Sequence, residues 1–280
     1  MSDPYLVFRQ AVERPEEQID LARAALTVAL DDYPNLDISS YLARLDDLAV
    51  AVAARIGPDG DTARTIAALN IVLFKEQGFR ANRDNYFDPK NSFLNEVLDR
   101  KTGIPITLSL VYMEVAQRVG LSFDGVGFPG HFLLKHVAAN GAEIVLDAFN
   151  QGEIKSRDDL AKLLAAQYGN KVTLRPEFLE TASKKQILKR MLNNLKAIYL
   201  REDAAKDLLK VLPVLERMVI LDPASAEDVR DRGAVYLQLE CFKQAREDLE
   251  RYLVLAPDAA DAGVVREKII DLAKQVSRMH

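Results

Sequence analysis

Cysteine is nearly absent from the chain. The single Cys241 in 280 residues excludes an internal disulfide and leaves no thiol-based metal cluster, which fits a reducing compartment. Histidine is almost as scarce, at three residues. His131 and His136 are five positions apart, so strand alternation puts them on opposite faces, and His280 stands alone at the terminus. With no His-Glu-x-x-His run either, no metal site is expected, and no cofactor. An excess of positive charge is also missing. Lys and Arg number 37 against 42 Asp and Glu, for a net charge of -5, which argues against nucleic acid or an anionic membrane as the main partner. No apolar run of about 18 residues is available to span a bilayer. The opening residues, MSDPYLVFRQAVERPEEQ, have neither the basic start nor the apolar core of a signal peptide, so a cytoplasmic location is expected. There is no Walker-type phosphate loop. Gly125-x-Gly127-x-x-Gly130 lies between strand-like runs and does not open a helix, so it fails the context test for dinucleotide binding.

What the chain does have is apolar residues, 49% of the total, enough to build sizeable cores in one large or two ordinary domains. Its most informative stretch is residues 101–147. Ile104, Ile106, Leu108, Leu110, Val111, Met113, Val115 and Val119 make a helix that is apolar almost all round, the signature of a helix buried inside a domain. Thr102 or Gly103 can cap it, Pro105 suits its first turn, and Gly120 ends it. Strand-like runs follow at 125–128, 131–137 and 143–147, separated by Pro129-Gly130 and Asn140-Gly141 turn signals. The product is a central helix feeding an antiparallel sheet, with His131 starting one strand and Asp147 ending its neighbour.

The first 80 residues read as helices. One runs from Pro15 to about Asp31, a second is capped by Asp37 or Ser39 and ends before Gly57-Pro58, and a third is begun by Asp61 or Thr62 and reaches Phe74. Residues 79–92 are polar and turn-rich, and Asn91 or Ser92 can cap the helix after them. Ser156 or Asp158 starts a further helix that Gly169 ends, and residues 176–182 read as a linker. Beyond Ser183 the chain is helical and repeats itself. The run from Leu215 to Pro223 returns as Leu249 to Pro257, a shift of 34 residues, the length of a tetratricopeptide (TPR) unit. Gly233, Tyr236, Ala245 and Pro257 occupy the small, aromatic, small and terminating positions of that motif. The first copy is degenerate, and residues 264–276 supply a capping helix. Arg230-Asp231-Arg232 reads as a solvated charged face, with partner docking as the alternative, and Cys241 as a small packed hydrophobe.

The order helix, strand His, strand Asp resembles the transglutaminase-like, papain-related fold, in which Gly-x-Cys opens the helix. Here the tripeptide is Gly103-Ile104-Pro105, so the resemblance implies catalytic positions at His131 and Asp147 and a proline in place of the nucleophile. Asp88 to Ser92, Gly103 to Ile106, Gly125 to Phe132 and Asp147 to Asn150 further resemble motifs of a bacterial family, the SirB-type transglutaminase-like/TPR proteins. The fold class expected is therefore α+β, with a helical and papain/transglutaminase-like domain at 1–176 and an all-α TPR-like module at 177–280. The resemblance also places Asn85, Tyr86, Asn91, Ser92, Pro105 and Asn150 beside the cleft.

A thiol nucleophile works because a helix amino terminus and an imidazole lower its pKa, and a proline ring offers no such group. Thr107 and Ser109 are the hydroxyls near that turn, with Ser92 on the loop side, and an alcohol needs a base such as His131 within reach. Two functions follow from this pattern. One is a cytoplasmic, nucleophile-less scaffold or regulator that binds protein or peptide through its TPR-like module. The other is a hydrolase or acyl transferase on amide or peptide bonds, using His131 and Asp147 with a hydroxyl or water. The oligomeric state is left open.

Overall fold

The computed structural model describes residues 3–57, 60–138, 140–201 and 207–278. Pro58, expected in the turn after the second helix, and His280 lie outside the described residues. The chain forms two compact units, Pro15–Met191 and a second made of Met1–Arg14 with Leu192–His280. The first helix of the chain, α1 (Pro4–Val12), belongs to the second unit.

Local chemistry accounts for the helices of the unit Pro15–Met191. Here α2 (Leu21–Thr27) is capped by Asp20, α3 (Ile38–Ile56) by Asp37 and α4 (Thr62–Asn70) by Asp61, each side chain accepting from a free backbone N–H of the first turn. The last of these continues as a π-helical turn, Ile71–Glu76. The helix expected from Pro15 to Asp31 is instead three short pieces, with 3-10 turns at Glu16–Gln18 and Val28–Asp31 flanking α2. A short parallel pair follows, β1 (Arg80–Ala81) with β2 (Thr102–Gly103), enclosing a 3-10 turn at Pro89–Ser92 and α5 (Leu94–Arg100).

The central helix is α6 (Pro105–Arg118). Residues on every side of it are buried, from Ile106 and Leu108 to Tyr112, Val115 and Ala116, as an all-round apolar pattern requires. It packs against α3, α4 and α5 and against strands β3 (Asp124–Val126) and β4 (Leu133–Val137). Gly120, at φ 85°, sits just past its end in the left-handed region that glycine enters without steric cost. The sheet is antiparallel in the order β6-β5-β4-β3-β7, with β5 (Glu143–Asp147), β6 (Glu153–Ile154) and β7 (Thr181–Ala182). Leu134 pairs with Leu146 and Gly125 with Leu134. A Cβ on Gly125 would lie 2.6 Å from Phe132 Cζ and 2.9 Å from Ile187 Cδ1, so the missing side chain is what lets the sheet close on this core. Between the last two strands run α7 (Arg157–Tyr168), capped reciprocally by Ser156 and Asp159, and a 3-10 turn at Pro176–Leu179.

Two expectations change here. His131 lies two residues before β4, in the turn after Phe128, so it does not start the strand, and the alternation argument that set it opposite His136 does not apply. His136 is in β4, with Nδ1 2.9 Å from the Ser122 carbonyl. The boundary drawn at 176/177 also falls inside a unit. Residues 181–182 are not linker but the edge strand β7, bonded to β3, and α8 (Lys184–Tyr199) begins before the division after Met191.

The second unit stacks α9 (Leu208–Leu221), α10 (Ala226–Gln238), α11 (Phe242–Leu255) and α12 (Ala262–Arg278), each packed on the next. Its small positions do the work the repeat assigns them. Ala245 is fully buried, and a Cβ on Gly233 would meet Asp248 Cβ at 3.1 Å, so glycine lets α10 and α11 approach. Arg232 is not on a solvated face. It donates to both carboxylate oxygens of buried Asp248, at 2.7 and 2.6 Å, and to Glu216 at 2.7 Å, tying α9, α10 and α11 together. Helix α1 joins this unit by burying Phe8 and Val12, with the Arg217 guanidinium 5.2 Å from the Tyr5 ring and 5.7 Å from Phe8.

Candidate functional site

Asp147 closes β5 with its side chain fully buried, and the chain turns sharply after it. Its Oδ1 accepts from the backbone N–H groups of Phe149 (3.0 Å) and Asn150 (3.2 Å), and its Oδ2 accepts from Asn150 Nδ2 at 2.6 Å. His131 Nε2 stands 3.0 Å from the same Oδ2, on a ring only 15% exposed. The approach is off the line of a straight N–H···O bond. Lys155 Nζ lies 4.0 Å from that oxygen and 2.7 Å from Glu153 Oε2. Burial by itself would push the Asp147 carboxyl up, but His131 and Asn150 outweigh it and hold the group below the ordinary carboxylate range. His131 Nδ1 is left as the ring nitrogen not held by the carboxylate.

An aromatic and cationic fringe surrounds the pair. Phe149 sits edge-on to the His131 ring at 5.9 Å and to Tyr86 at 6.4 Å, and Tyr86 is edge-on to Phe87 at 5.4 Å. Arg83 lies 4.8 Å over Phe149 and donates to Asn150 Oδ1. Arg190, from α8, donates to the His131 carbonyl at 2.5 Å and to the Phe128 carbonyl at 3.3 Å, fixing the turn that presents the histidine.

Tyr86 and Asn150 are thus joined to the pair, Asn150 directly and Tyr86 through Phe149. Asn91 is fully buried and acts on the backbone: its Nδ2 donates to the carbonyls of Asn85 (2.8 Å) and Tyr86 (3.1 Å), and its Oδ1 accepts from Asn82 Nδ2 at 2.9 Å. It therefore shapes residues 82–91 and does not cap α5, whose amino-terminal Phe93 has no side-chain cap. Asn85 takes part through its backbone, the N–H donating to Asn82 Oδ1 at 3.0 Å.

Around the first turn of α6 the hydroxyls point inward. Thr107 Oγ1 accepts from the Ile104 N–H at 3.1 Å and donates to the Asn91 carbonyl at 2.7 Å, so it caps the helix in place of Thr102 or Gly103. Thr107, Ser109 and Ser92 are all fully buried, and the Ser92 and Ser109 oxygens have no hydrogen-bond partner among the described residues. Pro105 is buried at the helix start. Sequence reasoning missed Asn82, Arg83, Phe149, Lys155 and Arg190. Phe149 lies within the Asp-x-Phe-Asn run and was legible there, whereas Arg190 lies beyond the supposed end of the domain and gave no signal. Among the described residues no group of three or more His, Cys, Asp or Glu side chains is placed to hold a metal ion, and no helix is long and apolar enough to cross a membrane.

Comparison with known proteins fits this geometry. Residues 39–193 match the transglutaminase-like superfamily and residues 195–269 a tetratricopeptide repeat. The chain is 34% identical over 268 residues to a UPF0162 protein of Xylella fastidiosa (strain 9a5c), covering 95% of this chain and 94% of the relative. It is 26% identical to the UPF0162 protein YchA of Escherichia coli (strain K12), across 89% and 90% of the two chains. Mouse F-box only protein 21 is similar over a shorter span, 34% identical over 151 residues that make up 50% of this chain and 22% of that protein. A chain with a transglutaminase-like unit carrying the His131–Asp147 pair and with TPR helices, 34% identical over 95% of its length to a UPF0162 protein, belongs to the transglutaminase-like superfamily and, within it, to the UPF0162 family.

Proposed function

We propose that the protein is a non-catalytic, cytoplasmic binding scaffold, in which the transglutaminase-like unit has exchanged covalent chemistry for recognition. TPR helices generally hold protein segments, and in this reading the second unit engages a protein or peptide partner. A regulatory role, which the likeness to SirB-type proteins implies, is the finer part of the same proposal. The observation that carries it is the first turn of α6. Pro105 occupies the position at which the resemblance expects a thiol, and the neighbouring hydroxyls of Thr107 and Ser109 are buried, that of Thr107 already spent on the Ile104 N–H and the Asn91 carbonyl. A nucleophile has to meet its electrophile, and a buried, hydrogen-bonded hydroxyl does not.

One feature favours the rival reading of a hydrolase on amide or peptide bonds. Asp147 holds His131 by Nε2 and leaves Nδ1 without a partner among the described residues, the arrangement a general base needs to activate water. The two readings separate in one experiment. Wild type and His131→Ala are incubated with fluorophosphonate and epoxide probes, and ammonia release from a glutaminyl peptide is followed in parallel. The scaffold reading expects no adduct by intact mass and no release above the variant's background. A hydroxyl adduct, or ammonia release, that disappears with His131 would establish the enzyme instead.

A further inference from the structure

Arg190 is a half-buried guanidinium without a counter-ion. Its Nη2 donates to two backbone carbonyls, those of His131 and Phe128, its plane lies 5.4 Å from the Phe132 ring centre, and its Nε and Nη1 have no hydrogen-bond partner among the described residues. Among the described residues Arg83 has only the Asn150 side-chain oxygen and the Phe149 ring. Neither has a carboxylate within ion-pair distance among the described residues. This contrasts with Arg44 on Asp99, Arg118 on Glu114 and Asp46, and Arg232 on Asp248 and Glu216, in a chain where acids outnumber bases 42 to 37. The nearby Asp147 does not serve, because its oxygens are taken by His131, Phe149 and Asn150. Withdrawing a cation from water without a partner is unfavourable, and burial accordingly pushes the Arg190 pKa down. Beside these cations two large aromatics reach solvent, Tyr86 at 39% and Phe87 at 55% exposure.

We propose that this face, Arg83 and Arg190 with Tyr86 and Phe87, binds a carboxylate-bearing peptide segment. Charge complementarity selects the occupant. A carboxylate accepts an N–H···O bond from the Nη1 or Nε that Arg190 leaves unused, Nη2 being taken by the two carbonyls, and supplies the charge that Arg190 lacks. An apolar residue next to that carboxylate covers Tyr86 and Phe87, and aromatic side chains beside arginine are the usual composition of an interface centre. The proposal deepens the scaffold reading, since it rests on the site binding a segment without cleaving it.

The test uses the full-length chain, labelled with nitrogen-15, titrated with a blocked leucine-glutamate peptide, its leucine-glutamine twin and inorganic phosphate. Arg190 Nε–Hε and the amides around Tyr86 and His131 are followed, and the peptide is weighed by mass spectrometry afterwards. The glutamyl peptide shifts these signals saturably, and the glutaminyl twin binds at least about tenfold more weakly, because it brings no negative charge to the guanidinium. The exposed variant Arg83→Gln, which leaves the fold untouched, binds the glutamyl peptide more weakly than wild type, and Arg190→Gln abolishes the shifts. Equal affinity for the two peptides, stronger binding of phosphate, no saturable shift at millimolar peptide, or full affinity in Arg83→Gln each overturn the proposal. A peptide that binds by these rules but is recovered hydrolysed leaves the carboxylate site standing and removes the scaffold reading. A peptide recovered intact that never bound does the reverse.

Discussion

Asp147 owes its protonation behaviour to three neighbours with different reasons to be there. The backbone N–H groups of Phe149 and Asn150 are the free donors of a short turn, Asn150 Nδ2 reaches back from the same turn, and His131 arrives from the loop before β4. All favour the charged carboxylate, and together they exceed the penalty of burial. A carboxyl whose folded pKa is depressed adds stability that is complete above its unfolded value, near 3.8, and is lost as pH falls through the folded value. Asp147→Ala strips the Phe149 and Asn150 N–H groups, the Asn150 amide and His131 of their acceptor and should cost about 3 to 5 kcal/mol, the usual result of removing one partner of a buried pair. Urea titrations should give a gap between wild type and variant that narrows as pH falls below about 4. A gap that does not change with acidification would show that Asp147 is not held ionised by these contacts.

At the scale of elements, a run of alternating charges on one helix can belong to its neighbours and not to solvent. Arg230-Asp231-Arg232 read as a wetted face from sequence, and for Arg232 the three-helix bond to Asp248 and Glu216 reverses that reading. Burial by itself lowers the Arg232 pKa, but the two carboxylates more than compensate and raise it, so this cation is permanent. Asp248→Ala, which leaves the buried guanidinium with Glu216 alone, should destabilise the repeat helices by about 3 kcal/mol, read as a fall in the urea midpoint of their transition. A midpoint unmoved by that change would mean the ion pair merely sits on a face that packing alone holds. The π-helical turn at Ile71–Glu76 is a second local feature that apolar periodicity did not reveal, because a helix of either pitch carries the same apolar side over one turn.

At the scale of the whole molecule, one of the two units is assembled from non-contiguous chain. Residues 4–12 form α1, whose Phe8 and Val12 are buried within the unit that begins again at Leu192. Two such side chains contribute on the order of 3 to 5 kcal/mol by burial, so deleting residues 1–14 should speed hydrogen exchange across α9 and α10 while α6 exchanges as before. Unchanged exchange in α9 would show that the repeat helices stand without α1. Most of the architecture was readable without coordinates. The all-round apolar helix at 105–118, the Asp caps of α3 and α4 and the 34-residue repeat each depend on residues close in sequence, and local chemistry sets them. The His131–Asp147 pair was legible only through a resemblance, since nothing local links two residues 16 positions apart.

By itself the sequence determined the course of α3, α4 and α6, which helix is central, and that no thiol stands at its tip, because those are properties of short stretches and of composition. Tertiary structure alone decided that Thr107 is spent as a cap, that residues 181–182 are an edge strand, that α1 joins the far end of the chain, and that Arg190 reaches the histidine loop uncompensated by a carboxylate. Hydrogen bonds and charges across long sequence separations depend on which surfaces the core brings together, and that choice is made only when the whole apolar pattern is buried at once.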